Sequence, residues 1–166
     1  MKTIFSFLVL FFVLVPYTRS QSILDQKIAM AITMLPCDEP TERDPVALKA
    51  TLVSEGDSLA VIVKVRMAPE WHIYQYVPDN APYVQLKNLL ILPQGLVKSG
   101  AWKCSDPIGY VSDPNVLIHE EGAWFVQKVA GKAEKGSLIS TGLYYQTCDH
   151  KQCLPPVEVK LELKSN

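Results

Sequence analysis

The chain has 166 residues, with 16 Lys and Arg against 17 Asp and Glu and a formal net charge of −1. Charged residues make up 20% and hydrophobic residues 48%, which argues against a nucleic-acid binder working through a basic patch and against an acidic disordered tail. The length suffices for one self-supporting core, so the four cysteines are not needed to hold the fold and each calls for a reason.

Residues 1–20 read as an export signal. Lys2 gives a positive start, and Ile4 to Val15 is an uncharged apolar run. The run is shorter than the ~20 residues needed to span a bilayer, and it ends at Pro16. Thr18 and Ser20 are small residues at −3 and −1 of a cleavage before Gln21, and no lipid-anchor cysteine follows. Cleavage removes Lys2 and Arg19 and leaves a soluble, more acidic chain in an exported compartment, where disulfides persist. Segment Ser22–Leu35 is compatible with a helix or an extra strand. Cys37 to Pro45, rich in proline and charge, reads as a linker, so residues 21–43 form an extension and residues 44–166 a domain.

The rest alternates with a period of two. Leu59, Val61, Val63, Val65 and Met67 share one face, with Lys64 and Arg66 on the other. Val157, Val159, Leu161 and Leu163 alternate with Glu158, Lys160, Glu162 and Lys164. Further strands are expected over 46–53, 84–92, 123–129 and 138–146. Ser54 to Ser58 stands at hairpin distance between two of them, and Pro78–Pro82, Pro93-Gln94-Gly95 and Ser112–Asn115 are breakers. Short strands at this spacing without βαβ alternation predict an all-β antiparallel sandwich.

The chemistry concentrates in Tyr144-Tyr145-Gln146-Thr147-Cys148-Asp149-His150-Lys151-Gln152-Cys153-Leu154-Pro155-Pro156. Strands flank the two cysteines, which places them at a hairpin mouth. Closing so short a loop contributes roughly 2 kcal/mol, little for a domain of this size. Lys151 and a protonated His150 favour a thiolate, whereas Asp149 opposes it. Two readings stay open from the spacing: a static clip in a binding or structural domain, and a pair that exchanges with other thiols. Cys148, His150 and Cys153 match no common zinc spacing. His119, beside Glu120 and Glu121, reads as a solvated loop residue, and Trp71, Trp102 and Trp124 as packing aromatics. No nucleophile elbow, phosphate loop or zinc-protease motif is present.

The string Tyr145-Gln146-x-Cys148-x4-Cys153-Leu154-Pro155-Pro156 resembles the N-terminal periplasmic domain of the thiol:disulfide interchange protein DsbD. Ala68 to Tyr74 resembles that family's aromatic segment, Asp44-Pro45-Val46 its domain start, and Leu92-Pro93-Gln94-Gly95 its mid-domain turn. The likeness covers residues 44–164, with Glu70 standing where relatives often have Gly. It implies an immunoglobulin-like sandwich that relays electrons in the periplasm from a thioredoxin-like donor to other thiol:disulfide proteins. Cys153 would form the mixed disulfide and Cys148 would resolve it, and no cofactor would be needed because two sulfurs carry two electrons. A cap near Ser105–Tyr110 would shield the pair, with Tyr110 or Ile108 as the shield and Asp106 as the nearby carboxylate. Tyr74, Tyr145 and Pro155 would support it. The export reading also allows Cys37 and Cys104 to pair and tie the extension to the domain.

Overall fold

The computed structural model describes residues 22–165; the expected export signal lies outside the described residues. The open segment resolves as helix α1, Ile23–Met34. Ser22 caps it, its hydroxyl accepting the Asp25 N–H at 3.2 Å and donating to the Asp25 carboxylate at 2.8 Å. Twelve strands follow: β1 Val46–Glu55, β2 Ser58–Met67, β3 His72–Tyr76, β4 Lys87–Ile91, β5 Leu96–Lys98, β6 Lys103–Cys104, β7 Ile108–Tyr110, β8 Asp113–Glu120, β9 Gly122–Gly131, β10 Leu138–Tyr145, β11 Thr147–Cys148 and β12 Val157–Lys164.

All pairings are antiparallel and form three sheets. The first runs β1-β2-β9-β5 with β6 also on β9, the second β12-β10-β4, and the third β11-β3-β8-β7. The period-2 face read from β2 points inward. Val63, Val65 and Met67 of β2 meet Phe125 of β9, Ile73 of β3, and Leu143 and Tyr145 of β10 in the main core. Val61, Val129 and Ile139 extend it between the first and second sheets. The all-β antiparallel sandwich expected from the sequence is therefore formed.

The opposite face of the first sheet is covered by α1. Leu24 and Ile28 pack on Ala60, Ile62 and Val126. Lys128 pairs with Asp25 at 2.6 Å and Lys27 with Glu55 at 2.6 Å, and Lys64 Nζ donates to Leu35 O at 2.9 Å. Cys37 follows along this outer face, its thiol 3.4 Å from Ala47 O. Cys104 is the register partner of buried Phe125 and packs against the main core. The two cysteines thus sit on opposite faces of one sheet, and both are free thiols, so the bridge that the export reading allows between them is not formed.

Two further expectations are corrected. The breaker at Ser112–Asn115 is the start of β8: Val111 and Ser112 alone make the turn, and Tyr110 pairs with Asp113. His119 is not in a solvated loop but buried in β8, 3% exposed, because strand alternation sends Glu120 outward and His119 inward against Phe125.

Candidate redox site

The site grows from the connection between β10 and β12. After Tyr145 the chain leaves the second sheet. Gln146 pins the departure, its Oε1 accepting the Val84 N–H at 2.9 Å and its Nε2 donating to Leu154 O at 3.5 Å. Strand β11 then joins the third sheet, with Thr147 opposite Ile73 and Cys148 opposite His72. The Thr147 hydroxyl donates to His72 O at 2.9 Å.

A tight turn follows. The Asp149 N–H donates to Gln152 O at 2.9 Å, and its carboxylate accepts the N–H groups of Lys151 and Gln152, each at 2.7 Å. These two amides hold the Asp149 carboxyl below the usual carboxylate range. The turn returns Cys153 opposite Cys148 with Cα atoms 4.0 Å apart, and the two sulfurs are joined in a disulfide. The Leu154 N–H closes the loop on Thr147 O at 2.9 Å.

Strand parity decides what surrounds the sulfurs. One face of the third sheet carries Thr147, Ile73 and His119 toward the main core. The other carries Cys148, His72, Tyr74 and Ile118, beginning a separate cluster with Val116 that Val77, Tyr83 and Tyr110 cover. Tyr83 stacks on Tyr74 with centroids 4.5 Å apart, Tyr110 lies 4.9 Å from the His72 ring, and His72 Nε2 is 3.1 Å from the Tyr74 hydroxyl. Cys148 is 1% exposed in this nest, whereas Cys153 is exposed.

Burial leaves the nest uncharged at neutral pH. It pulls the His72 imidazole below its ordinary value against the opposing charge of Asp149. It pushes the Tyr74 phenol far up, helped by Tyr110 and Tyr83, and raises Tyr83 likewise. The arrangement offers an incoming thiolate one accessible sulfur, that of Cys153, with the Cys148 sulfur as the shielded leaving group. Among the described residues no group of three His, Cys, Asp or Glu side chains converges to hold a metal ion.

The remaining sequence-expected residues separate. Tyr74 and Tyr110 lie in the nest. Ile108 shares the Cys148 face opposite Ile118, but it is three strands from β11, about 14 Å across the sheet, and half exposed. Asp106 acts on Cys104, whose thiol is raised first by burial and then by that carboxylate; the carboxylates acting on the nest are Asp149, on His72, and Asp113, on Tyr83. Tyr145 is in the main core, its phenol pushed up to about 12 by burial. Pro155 is exposed just past the pair. Glu70 explains its own oddity. It occupies the third position of a turn from Ala68 to Trp71 behind Pro69, with φ +70°, where Gly is unstrained. Its carboxylate reaches His150 Nδ1 at 3.5 Å. Sequence reasoning assigned no role to His72, Tyr83 or Gln146. His72 was within reach, because it lies two residues before Tyr74 and so shares its strand face.

No protein-family model matches the chain, and no curated protein matches it. Solved structures do. The N-terminal periplasmic domain of ScsB from Proteus mirabilis is 15% identical over 76% of this chain and 49% of that one, with a TM-score of 0.56, so the chain spans about half the length of that structure. The reduced DsbD N-terminal domain of Neisseria meningitidis is 18% identical over 70% of this chain and 85% of that one, with a TM-score of 0.46. The yeast GGA1 GAE domain is 11% identical over 78% and 97%, with a TM-score of 0.41. The chain therefore has the sandwich fold found in the N-terminal periplasmic domain of ScsB.

Proposed function

We propose that the chain is an exported thiol:disulfide exchange module that relays electrons between a thioredoxin-like protein and other envelope proteins through Cys148 and Cys153. The observation that carries this is the asymmetry of the disulfide, with Cys153 exposed on a surface turn and Cys148 buried under Tyr83 and Tyr110. A clip needs no such division, whereas exchange requires one sulfur open to attack and one kept from competing thiols. The cysteine motif resembling DsbD supports the reading.

In the reducing half-reaction a donor thiolate bonds to the Cys153 sulfur, and the bond to Cys148 breaks with its electron pair on Cys148, which takes up a proton. A second donor thiolate then attacks the donor's own sulfur and expels Cys153 as a thiolate. The module has gained two electrons and the donor holds a disulfide. In the second half-reaction the Cys153 thiolate attacks an acceptor disulfide, and Cys148 closes on Cys153 to release the reduced acceptor.

Residues 1–20 are the export signal in this account, 21–43 an extension, and 44–166 the exchange domain, working in the periplasm. No helix among the described residues is long and apolar enough to cross a membrane. Tyr74 and Tyr110 shield Cys148, and Tyr145 and Pro155 hold the strand ends on either side of the turn.

The test uses a purified thioredoxin-like protein that lacks its resolving cysteine and carries its remaining cysteine as the mixed disulfide with thionitrobenzoate, which leaves as a thiolate when a module thiolate attacks. Cys148→Ser should capture it as a reductant-sensitive mixed disulfide, and Cys153→Ser should not. Equal capture by both, or none by either, contradicts the assignment.

A further inference from the structure

Exchange through Cys153 leaves one step without a named agent. To close on a mixed disulfide at Cys153, Cys148 must first lose its proton. An ordinary thiol does so near pH 8.5, and apolar burial moves that higher. The apolar residues clustered around Cys148 are Tyr74, Val116, Ile118, Val77, Tyr83 and Tyr110. His150 and Lys151 in the turn are exposed.

We propose that His72 is the proton acceptor that turns Cys148 into the resolving thiolate. The inference rests on the exchange reading above and adds a residue to it. His72 is the antiparallel register partner of Cys148 and shares its sheet face, which sets their Cβ atoms about 5 Å apart. It is 3% exposed, so its ring works inside the same nest rather than from solvent.

The groups facing it come from every neighbouring element. Tyr74 lies on its own strand, Cys148 and Asp149 on β11 and the turn, Glu120 opposite it on β8, Tyr110 on β7, and Tyr83 on the segment before β4. His72 Nε2 lies 3.1 Å from the Tyr74 hydroxyl, and in the tautomer that donates to it Nδ1 keeps a lone pair for the incoming proton. Burial holds the resting imidazole neutral, in its accepting form, and the Asp149 carboxylate favours the imidazolium once formed. A nucleophile, an adjacent base and a carboxylate that supports the base make the arrangement by which thiols are activated elsewhere.

The step balances with glutathione disulfide as the oxidant. The Cys153 thiolate bonds to one glutathione sulfur and the other leaves as a thiolate. The Cys148 proton then passes to His72. The freed electron pair on Cys148 forms the bond to Cys153, and the second glutathione leaves as a thiolate that takes a proton from water. The module loses two electrons and two protons, and His72 returns its proton to solvent.

The experiment follows reduced full-length protein with glutathione disulfide by acid quench and mass spectrometry, between pH 5.5 and 9. Formation of the Cys153–glutathione adduct reads the first step, and loss of the adduct reads resolution. In the wild type, resolution should rise with pH and level off below pH 7. His72→Gln keeps an amide able to bond Tyr74 but accepts no proton over this pH range. Its resolution at pH 7 should be about 10²-fold slower and still climbing about tenfold per pH unit, with adduct formation unchanged. His72→Asn should behave the same, and normal adduct yield in either variant shows that the site is still built. Resolution at the wild-type rate, or with the wild-type pH profile, in both variants overturns the proposal while leaving exchange intact. A wild-type protein that forms no adduct at Cys153 overturns the exchange reading and this inference with it.

Discussion

Reducing the Cys148–Cys153 bond should cost the sandwich little. The bond closes a loop of sequence separation 5, for which the chain-entropy relation gives about 2 kcal/mol. The folded structure lowers the dependence further, because the loop is closed by other means. The Leu154 N–H bonds Thr147 O, the Asp149 N–H bonds Gln152 O, and the Asp149 carboxylate holds two amides of the turn. Gln146 fastens the same segment to Val84 and Leu154. Neither Cys148 nor Cys153 belongs to the main core. Urea unfolding at pH 7, with and without a phosphine reductant, should therefore show a loss of about 2 kcal/mol or less with an unchanged slope. The melting temperature should fall by about 4–8 °C. A loss above about 4 kcal/mol, or a change of slope showing a partly unfolded reduced state, would refute the reasoning and make the bond a structural staple.

Three smaller predictions follow from the same geometry. Glu70→Gly relieves a left-handed backbone position and loses only an exposed contact with His150, so it should stabilise the fold by about 1 kcal/mol in chemical denaturation. Burial lowers the ionisation of His72 and His119, so below pH 6.5 the unfolded chain binds protons that the native chain refuses. Stability should fall as the pH drops from 7 to 5, by at most about 1.4 kcal/mol per pH unit for each histidine, and His119→Gln should flatten that slope. Peptide mapping without reductant should find Cys148 linked to Cys153 and free thiols at Cys37 and Cys104; a Cys37–Cys104 peptide would contradict the opposite-face placement.

The strands that alternate cleanly were legible in sequence because one face meets the core and the other meets solvent or polar cover. That holds for β12, where Val159, Leu161 and Leu163 are half-buried and Glu158, Lys160, Glu162 and Lys164 exposed, whereas the other face of β2 and β9 carries Ile62 and Val126 under α1. The third sheet was not legible, because it is buried on both faces around β3: Ile73 enters the main core while His72 and Tyr74 enter the nest around Cys148, so no polar alternation appears. Strand β4 is shorter than expected because the Val84 and Leu86 amides are drawn off to Gln146 and to Tyr74 O. In α1 the buried positions Leu24 and Ile28 fit a helical stripe, but exposed Ile23, Met30 and Met34 blur it.

The cysteine pair was readable from its motif and its flanking strands. Its cover was only half readable. Tyr110 was found through the expected cap, but Asp106 on the same segment acts on Cys104, and Tyr83 lies between the Pro78–Pro82 breaker and the strand expected from 84, in neither. Which side chains converge depends on β11 crossing from one sheet to the other, and short two-residue pairing leaves no periodic trace in sequence.

The reduction potential of the Cys148/Cys153 couple, measured on the full chain by equilibration in graded dithiol buffers, tests exchange against a static clip most directly. The account predicts a potential above about −300 mV, within reach of a thioredoxin-like partner. A potential well below that value, with the bond resisting reduction in the native state, would contradict it.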